Sequence, residues 1–367
     1  MTNKIKLIFI NTVNLEENGI SSFILNNSYI LTNWNVEVTI IAPNKVNSDL
    51  KSALRKNNIN LIELPMRNKK PYVYFVKLLS IFKKKKCDVV HVNGNSTTMS
   101  VELLAAYLAG IKVRIAHSHN TTTDHKRINK LLRPIFDVVA NGRIACNTAA
   151  GKWLFKNKSF LIIRNGINLS NFKFDATMRK KYRDKLGLNE NDILLGHVGR
   201  FNRQKNQHFL LDLMNHLDSK YHLVLIGSGM NYHELKTEVK QSKELNTRVT
   251  FTGPIKDTSV WLSAMDVFLL PSLYEGQPYT LIEATASGLN SIVSDTVSKE
   301  NDIADNIIFE SIKKSRKWIG ILENQVVKDR DTVSNKYIQV LKKAGYDSTE
   351  NAKNLLRYYQ NKLLNRR

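Results

Sequence analysis

Two carboxylates, Glu275 and Glu283, bracket the segment Gly276-Gln277-Pro278-Tyr279-Thr280. Proline suits the first turn of a helix, so Pro278 marks a helix start. Free N–H groups at that start, with Gly276 just before it, suit an anion such as a phosphate. Neither carboxylate favours a phosphate. Carboxylates accept hydrogen bonds from hydroxyls, so the pair suits a ribose diol and a sugar on either side of a diphosphate. Glu283 also favours the helix dipole with no ligand present. Earlier in the chain, Arg200-Phe-Asn-Arg-Gln-Lys205 follows an apolar run. A guanidinium and an ammonium at such a place would clamp a diphosphate by charge-assisted hydrogen bonds; a solvated loop is the plainer account. Gly199, Gly227 and Gly229 close two apolar runs, where glycine lets backbone approach a phosphate or simply turns the chain.

The first half offers other chemistry. Arg114-Ile-Ala-His117-Ser-His119 puts two histidines at i and i+2, on one face of a strand. A histidine of near-neutral pKa donates or accepts a proton, whereas a satisfied core histidine does neither. With no third ligand nearby, a metal site is not expected. His91 ends the preceding run and is a candidate for lining an acceptor site. Gly19, before an apolar helical stretch, would let the chain turn close to a ligand.

These residues need a frame, and the apolar runs supply one. They fall at 5–10, 36–42, 61–64, 88–92, 113–116, 143–146 and 160–163, and then at 193–198, 222–226, 249–251, 267–270 and 291–293. Continuous β-branched runs read as strands buried on both faces. Helix-length segments between them imply right-handed crossovers and a parallel sheet. The pattern restarts after about residue 190. The fold class is therefore α/β, with two doubly wound domains expected at 1–172 and 173–348. A terminal helix, about 349–367, is expected to pack back on the first.

Composition narrows the function classes. The 367 residues are 42% hydrophobic and 24% charged, an ordinary globular balance. No apolar run reaches the roughly 18 residues of a spanning helix. The N-terminus reads as a buried strand and not as a leader, and two cysteines make no disulfide framework. A cytoplasmic chain is expected. Residues 1–172 hold 25 Lys/Arg against 9 Asp/Glu, or +16, of a total of +23. Such a field attracts nucleic acid, anionic lipid or a phosphorylated substrate. The aromatic–basic interleaving of RNA-binding modules is absent, so nucleic acid is not the expected partner. Pro71–Lys86 is amphipathic, with Tyr72, Phe75, Leu78, Leu79 and Phe82 at helical spacing and four closing lysines. It suits peripheral docking on an anionic membrane, or a core helix whose lysines meet its own dipole.

The set VGRFNRQKN, IGSGM, VTFTG and PSLYEGQPYTLIEATASGL resembles the donor-binding half of the retaining GT-B glycosyltransferases of family four. The segment SDTVSKENDIADNIIF further resembles the bacterial exopolysaccharide and capsule enzymes of that kind. The resemblance implies two Rossmann-like domains facing a cleft, and transfer of a hexosyl unit from a nucleotide-sugar, UDP by default, to a lipid-linked saccharide. No cofactor or metal is implied. By position, Arg200 and Lys205 would bind and stabilise the leaving diphosphate. Glu283 would hold the donor ribose, and Glu275 the transferred sugar. Gly276, Gln277, Pro278, Tyr279 and Thr280 would hold phosphate or sugar hydroxyls. Gly199, Gly227 and Gly229 would leave room for the nucleotide. Gly19 stands where the family has two adjacent glycines, the first being Asn18 here; asparagine tolerates left-handed geometry, so the turn is expected to persist. His119 would contact the transferred sugar, with His117 as the alternative. An epimerase of the same fold and a nucleic-acid-binding protein are the competing readings.

Overall fold

A computed structural model describes residues 4–16, 18–123, 126–322, 325 and 329–365. Positions 1–3 of the expected first domain and 366–367 of the expected terminal helix lie outside the described residues. The chain divides into two compact units, Met1–Gly166 with Ser348–Arg367, and Ile167–Asp347. The expected boundary at 172–173 thus falls inside the second unit. The reason is packing: Ile167 and Leu169 are buried with Ile282, Ala286, Leu341 and Tyr346 of that unit.

The first unit holds seven parallel strands: β1 Ile5–Asn11, β2 Val36–Ala42, β3 Asn60–Glu63, β4 Val89–Gly94, β5 Val113–Ser118, β6 Gly142–Ala145 and β7 Leu161–Ile162. Their order is β3-β2-β1-β4-β5-β6-β7. Alternate residues go to two separate cores. Leu7, Phe9, Val89, Val113 and Ile115 pack with Phe23 and Ile24 of the helix Gly19–Thr32 and with Ala352, Leu355 and Tyr359 of the helix Ser348–Leu364. Ile8, Ile10, Val90, Val92 and Ala116 pack on the other face. There they meet Tyr74, Leu78 and Phe82 of Pro71–Lys85, Leu103 and Ala106 of Ser100–Leu108, and Phe136 and Val139 of Arg133–Val139. Burial on both faces is why these strands read as unbroken apolar runs.

Two local expectations change. The buried stripe of Pro71–Lys85 is Tyr74, Leu78 and Phe82, with Phe75 and Leu79 partly buried at its edge, whereas Tyr72 is 78% exposed. Asn18 is not left-handed. It is extended (φ −155°) and caps the helix Gly19–Thr32, its side chain accepting from the Ser21 N–H at 3.0 Å. Capping, not backbone freedom, is what asparagine contributes there.

The second unit holds β8 Ile193–Val198, β9 Tyr221–Ile226, β10 Val249–Gly253, β11 Val267–Leu270, β12 Asn290–Ser294 and β13 Ile307–Glu310. All are parallel, in the order β10-β9-β8-β11-β12-β13. In each sheet the strand order reverses once, between β1 and β4 and between β8 and β11. Open parallel sheets bind ligands outside the carboxyl ends of the strands at such a reversal. The two places where chemistry is expected in this chain are therefore set by topology alone.

Candidate functional site

In the second unit, the loop after β8 and the loop after β11 are stitched together. Leu273 N–H donates to the Gln204 carbonyl at 2.8 Å, and Gln204 Nε2 donates to the Tyr274 carbonyl at 2.9 Å. Asn206, left-handed at φ 54°, donates from Nδ2 to the Pro271 carbonyl at 3.3 Å. Below the loops, His197 Nδ1 meets the Leu269 carbonyl at 2.8 Å and ties β8 to β11. Burial pushes that imidazole down to about 3. The neutral ring donates from Nδ1, so Nε2 accepts from Gln207 Nε2 at 3.3 Å, an atom that also donates to the Arg200 carbonyl.

This stitching brings Lys205 to Glu275. The ammonium lies 2.7 Å from Oε1, an ion pair between two largely buried side chains. Lys205 also acts on the Glu283 carboxyl, which lies in the helix Tyr279–Ala286 that Pro278 starts. Glu283 as a residue is partly exposed, but its carboxyl end is enclosed, with Thr258 Oγ1 3.5 Å from Oε2. Enclosure raises it from 4.5 to about 7, against the lowering effects of Thr258 and Lys205. Between Pro278 and Glu283, Thr280 Oγ1 is buried and without a hydrogen-bond partner among the described residues. Gln277 is buried and donates to the Tyr346 hydroxyl at 3.0 Å, so it supports the loop from behind. Tyr279 is partly buried. The Gly276 carbonyl accepts from Asn301 at 3.3 Å. Arg200 is exposed.

The glycines have a nearer neighbour than a ligand. A Cβ at Gly227 would lie 2.2 Å from the Gly199 carbonyl oxygen, and one at Gly229 2.2 Å from that of Phe201. Phe201 N–H donates to the Ser228 carbonyl at 2.8 Å and Asn231 N–H to the Phe201 carbonyl at 3.2 Å. These glycines let the β8 and β9 loops lie against each other.

Ionising the Glu283 carboxyl in the folded unit is costly. Its folded value is raised, so the stability it contributes is complete below about 4.5 and is lost as pH rises through about 7. Across that window the difference amounts to about 3 kcal/mol. Glu283→Gln is expected to stabilise the second unit by about 2–3 kcal/mol at pH 8 and by almost nothing at pH 4, read by hydrogen exchange. Equal effects at both pH values would contradict the enclosure.

In the first unit, three histidines form one stack at the β1–β4 reversal. His91 Nδ1 lies 2.6 Å from the Tyr359 hydroxyl, and His91 Nε2 lies 3.1 Å from His117 Nδ1. The His117 and His119 rings stack with centroids 4.0 Å apart. The Phe23 ring meets His117 edge-on at 4.5 Å and His119 at 5.2 Å. All three imidazoles are driven down by burial, His119 to about 3 and the other two well below their ordinary value. They are neutral at any physiological pH.

Asn93 fixes the His119 tautomer. Its Nδ2 donates to the carbonyls of His91 at 3.3 Å and Ile10 at 3.5 Å, so its Oδ1 faces His119 Nε2 as an acceptor, at 3.0 Å. Nε2 therefore carries the proton and Nδ1 presents a bare lone pair. That Nδ1, like His117 Nε2, has no partner among the described residues. A bare Nδ1 accepts a hydrogen bond from a hydroxyl and delivers no proton. Thus His91, His117 and His119 are one hydrogen-bonded and stacked group, not separate candidates. Gly19 starts the helix that brings Phe23 to them.

Asn93, Tyr359, Thr258 and Gln204 escaped the sequence reading. Asn93 in Val-Asn-Gly at a strand end carried a usable signal; Thr258 and Tyr359 carried none. Among the described residues, no group of three or more His, Cys, Asp or Glu is placed to hold a metal ion.

Residues 178–308, spanning the Lys205–Glu275–Glu283 arrangement, match the family of glycosyl transferases group 1. EpsF of Bacillus subtilis (strain 168), provisionally named a glycosyltransferase, is 32% identical over 289 residues, 74% of each chain. The UDP-Gal:alpha-D-GlcNAc-diphosphoundecaprenol alpha-1,3-galactosyltransferase of Escherichia coli is 29% identical over 60% of each chain. The crystal structure of Anabaena HepE in complex with UDP superposes with a TM-score of 0.80, covering 97% of this chain and 100% of that one. Its 16% identity makes that a likeness of fold. A reversal-point site in each of two parallel sheets, a family match across the second, and a relative at this identity and coverage lead to one conclusion: the chain belongs to the glycosyl transferases group 1 family and is a glycosyltransferase of the GT-B fold class.

Proposed function

We propose that the protein transfers a hexosyl unit, with retention of anomeric configuration, from a UDP-sugar to a hydroxyl of a lipid-linked saccharide in exopolysaccharide or capsule synthesis, at the inner face of the membrane. The single observation that carries this reading is the Lys205–Glu275 ion pair at the β8–β11 reversal, with the enclosed Glu283 in the field of the same ammonium. The Escherichia coli relative is named for a UDP-linked donor and a diphosphoundecaprenol acceptor, which supports donor and acceptor class.

In this reading the donor diphosphate takes up part of the Lys205 ammonium, and Arg200 comes to it from the exposed loop. Glu275, released from its ion pair with Lys205, turns to hydroxyls of the sugar. Glu283 accepts from the ribose diol, and Thr280 Oγ1 gains the partner it lacks. As the glycosidic bond to the diphosphate breaks, the acceptor oxygen bonds to the anomeric carbon on the same face and its proton passes to the departing phosphate oxygen, whose growing charge Lys205 offsets without rearrangement. In the first unit, the His119 Nδ1 lone pair is an acceptor for a hydroxyl hydrogen bond. Since two side-chain cations offset the diphosphate charge, no metal or other cofactor is required.

The test uses the purified protein with a panel of UDP-sugars and a diphospholipid-linked saccharide, in excess EDTA. The expected result is a glycosylated lipid whose anomeric configuration, read by the proton coupling constant, matches the donor, at an undiminished rate. An inverted product, loss of turnover in EDTA, or epimerised donor without transfer would each refute part of the reading.

A further inference from the structure

The face of the first unit opposite the histidine stack carries an aliphatic ridge. Ile128, Leu131, Ile135 and Val138 recur at i, i+3, i+7 and i+10 along the consecutive helices Lys126–Leu131 and Arg133–Val139. They are 48, 77, 40 and 71% exposed. Leu132 between the helices has helical backbone angles, so the four form one stripe. The buried side of the same segment, Phe136 and Val139, already holds it to the core. The ridge is therefore surplus to folding. Contiguous exposed aliphatics of this kind mark a docking surface.

Two further helices of this layer also expose apolar residues. Ser100–Leu108 packs against Arg133–Val139 and against Pro71–Lys85. They expose Tyr107, Leu108, Tyr72 and Val76. Cations surround the apolar groups: Lys126, Arg127 and Lys130 are exposed beside the ridge. Leu64 through Lys86 contains eight Lys or Arg and no Asp or Glu. The one acid in 126–139, Asp137, is paired with Lys158 at 3.2 Å. An apolar stripe with cationic flanks and almost no acid fits an anionic lipid surface, into whose headgroup layer such side chains insert.

The ridge is also tied to the site. Asn129 accepts from Thr97 N–H at 2.8 Å and its carbonyl accepts from Thr97 Oγ1 at 2.6 Å, three residues past the end of β4. Asn93, which sets the His119 tautomer, is in that strand.

We propose that the Ile128–Leu131–Ile135–Val138 ridge, with Lys126, Arg127 and Lys130, inserts into the headgroup layer of an anionic bilayer and holds the carboxyl edge of the first sheet at the lipid surface. This rests on the reading that the acceptor is lipid-linked, and it goes further by naming the surface. It differs from docking through the lysines of Pro71–Lys86 alone, since the aliphatic stripe supplies the insertion.

The test is sedimentation of the full chain with vesicles of phosphatidylcholine alone or with one-quarter phosphatidylglycerol, in about 0.1 M salt. Wild type is expected to bind the anionic vesicles and not the neutral ones. L131D/V138D is expected to lose at least tenfold in binding, with an unchanged thermal transition. K126Q/R127Q/K130Q is expected to bind several-fold more weakly, with a smaller salt dependence. Equal binding of wild type to both vesicle types, or unchanged binding of L131D/V138D, would overturn the proposal. A dimer by light scattering that L131D/V138D dissolves, with vesicle binding intact, would assign the ridge to a second copy instead. The vesicles contain no saccharide and the assay no donor, so failure here is distinct from failure of sugar transfer, which is measured separately on a water-soluble acceptor.

Discussion

Lowering the pH from about 7.5 to 5 is expected to destabilise the first unit, by about 2 kcal/mol through His119 alone, with His91 and His117 acting in the same direction. Each of His91, His117 and His119 is held neutral in the fold by burial, whereas its unfolded counterpart titrates near 6.5. Because the folded values are depressed, the unfolded state binds the protons. The stability is fully present above about 6.5 and is lost as pH falls below it, at about 2 kcal/mol for His119 by pH 5. The second unit behaves differently. His197 costs a similar amount, but Glu283 regains about as much over the same range, since its raised carboxyl favours acid. Acid is therefore expected to open the first unit while leaving the second nearly unchanged. Hydrogen exchange read by mass spectrometry follows the two units separately. Replacing His117 with Leu should weaken the pH dependence in the first. Protection in the first unit that changes by less than about 1 kcal/mol between the two pH values would rule out this account. The imidazole nitrogens give a second check: His119 is expected to keep its Nε2–H tautomer, without titrating, down to pH 5.

Lys205→Ala is expected to lower kcat with saturating donor by about 10²–10³-fold, and kcat/KM by a similar factor. The ammonium meets charge that grows only as the donor bond breaks, so its loss falls mainly on the chemical step. Lys205→Arg should recover part of the rate, because a guanidinium keeps the charge but not the point geometry. Removing Lys205 also strands Glu275, a largely buried carboxylate. The double variant K205A/E275Q is therefore expected to be more stable than K205A, yet no more active. A K205A enzyme within threefold of wild type would remove Lys205 from the reaction.

The strands were legible because both faces of each sheet are covered, leaving unbroken apolar runs such as Leu7–Ile10. Ile307–Glu310 was missed because only Ile307 is buried and the strand pairs on one side, with β12. Leu161–Ile162 is shorter than its apolar run suggests, for a related reason: it pairs only with β6. In the site, the individual residues were legible and their relations were not. Lys205 and Glu275 are seventy positions apart, and hydrogen bonds of Gln204 and Asn206 to the β11 loop bring them together. The histidines read as alternatives along the sequence, because a shared stack needs β4, β5 and the terminal helix at once. The glycines after β9 read as space for a nucleotide; that they also let the β8 loop lie against them needed the fold to be seen.

The first unit is interrupted by the whole of the second, and this bears on its biogenesis. Ser348–Leu364 is translated after Ile167–Asp347, yet it contributes Ala352, Leu355 and Tyr359 to the earlier core. The ribosome therefore releases a contiguous unit while the one begun first still has an open apolar flank at Phe9, Phe23 and Val113. Until Tyr359 reaches His91, that flank stays open, and a nascent chain arrested between the two segments would keep it exposed.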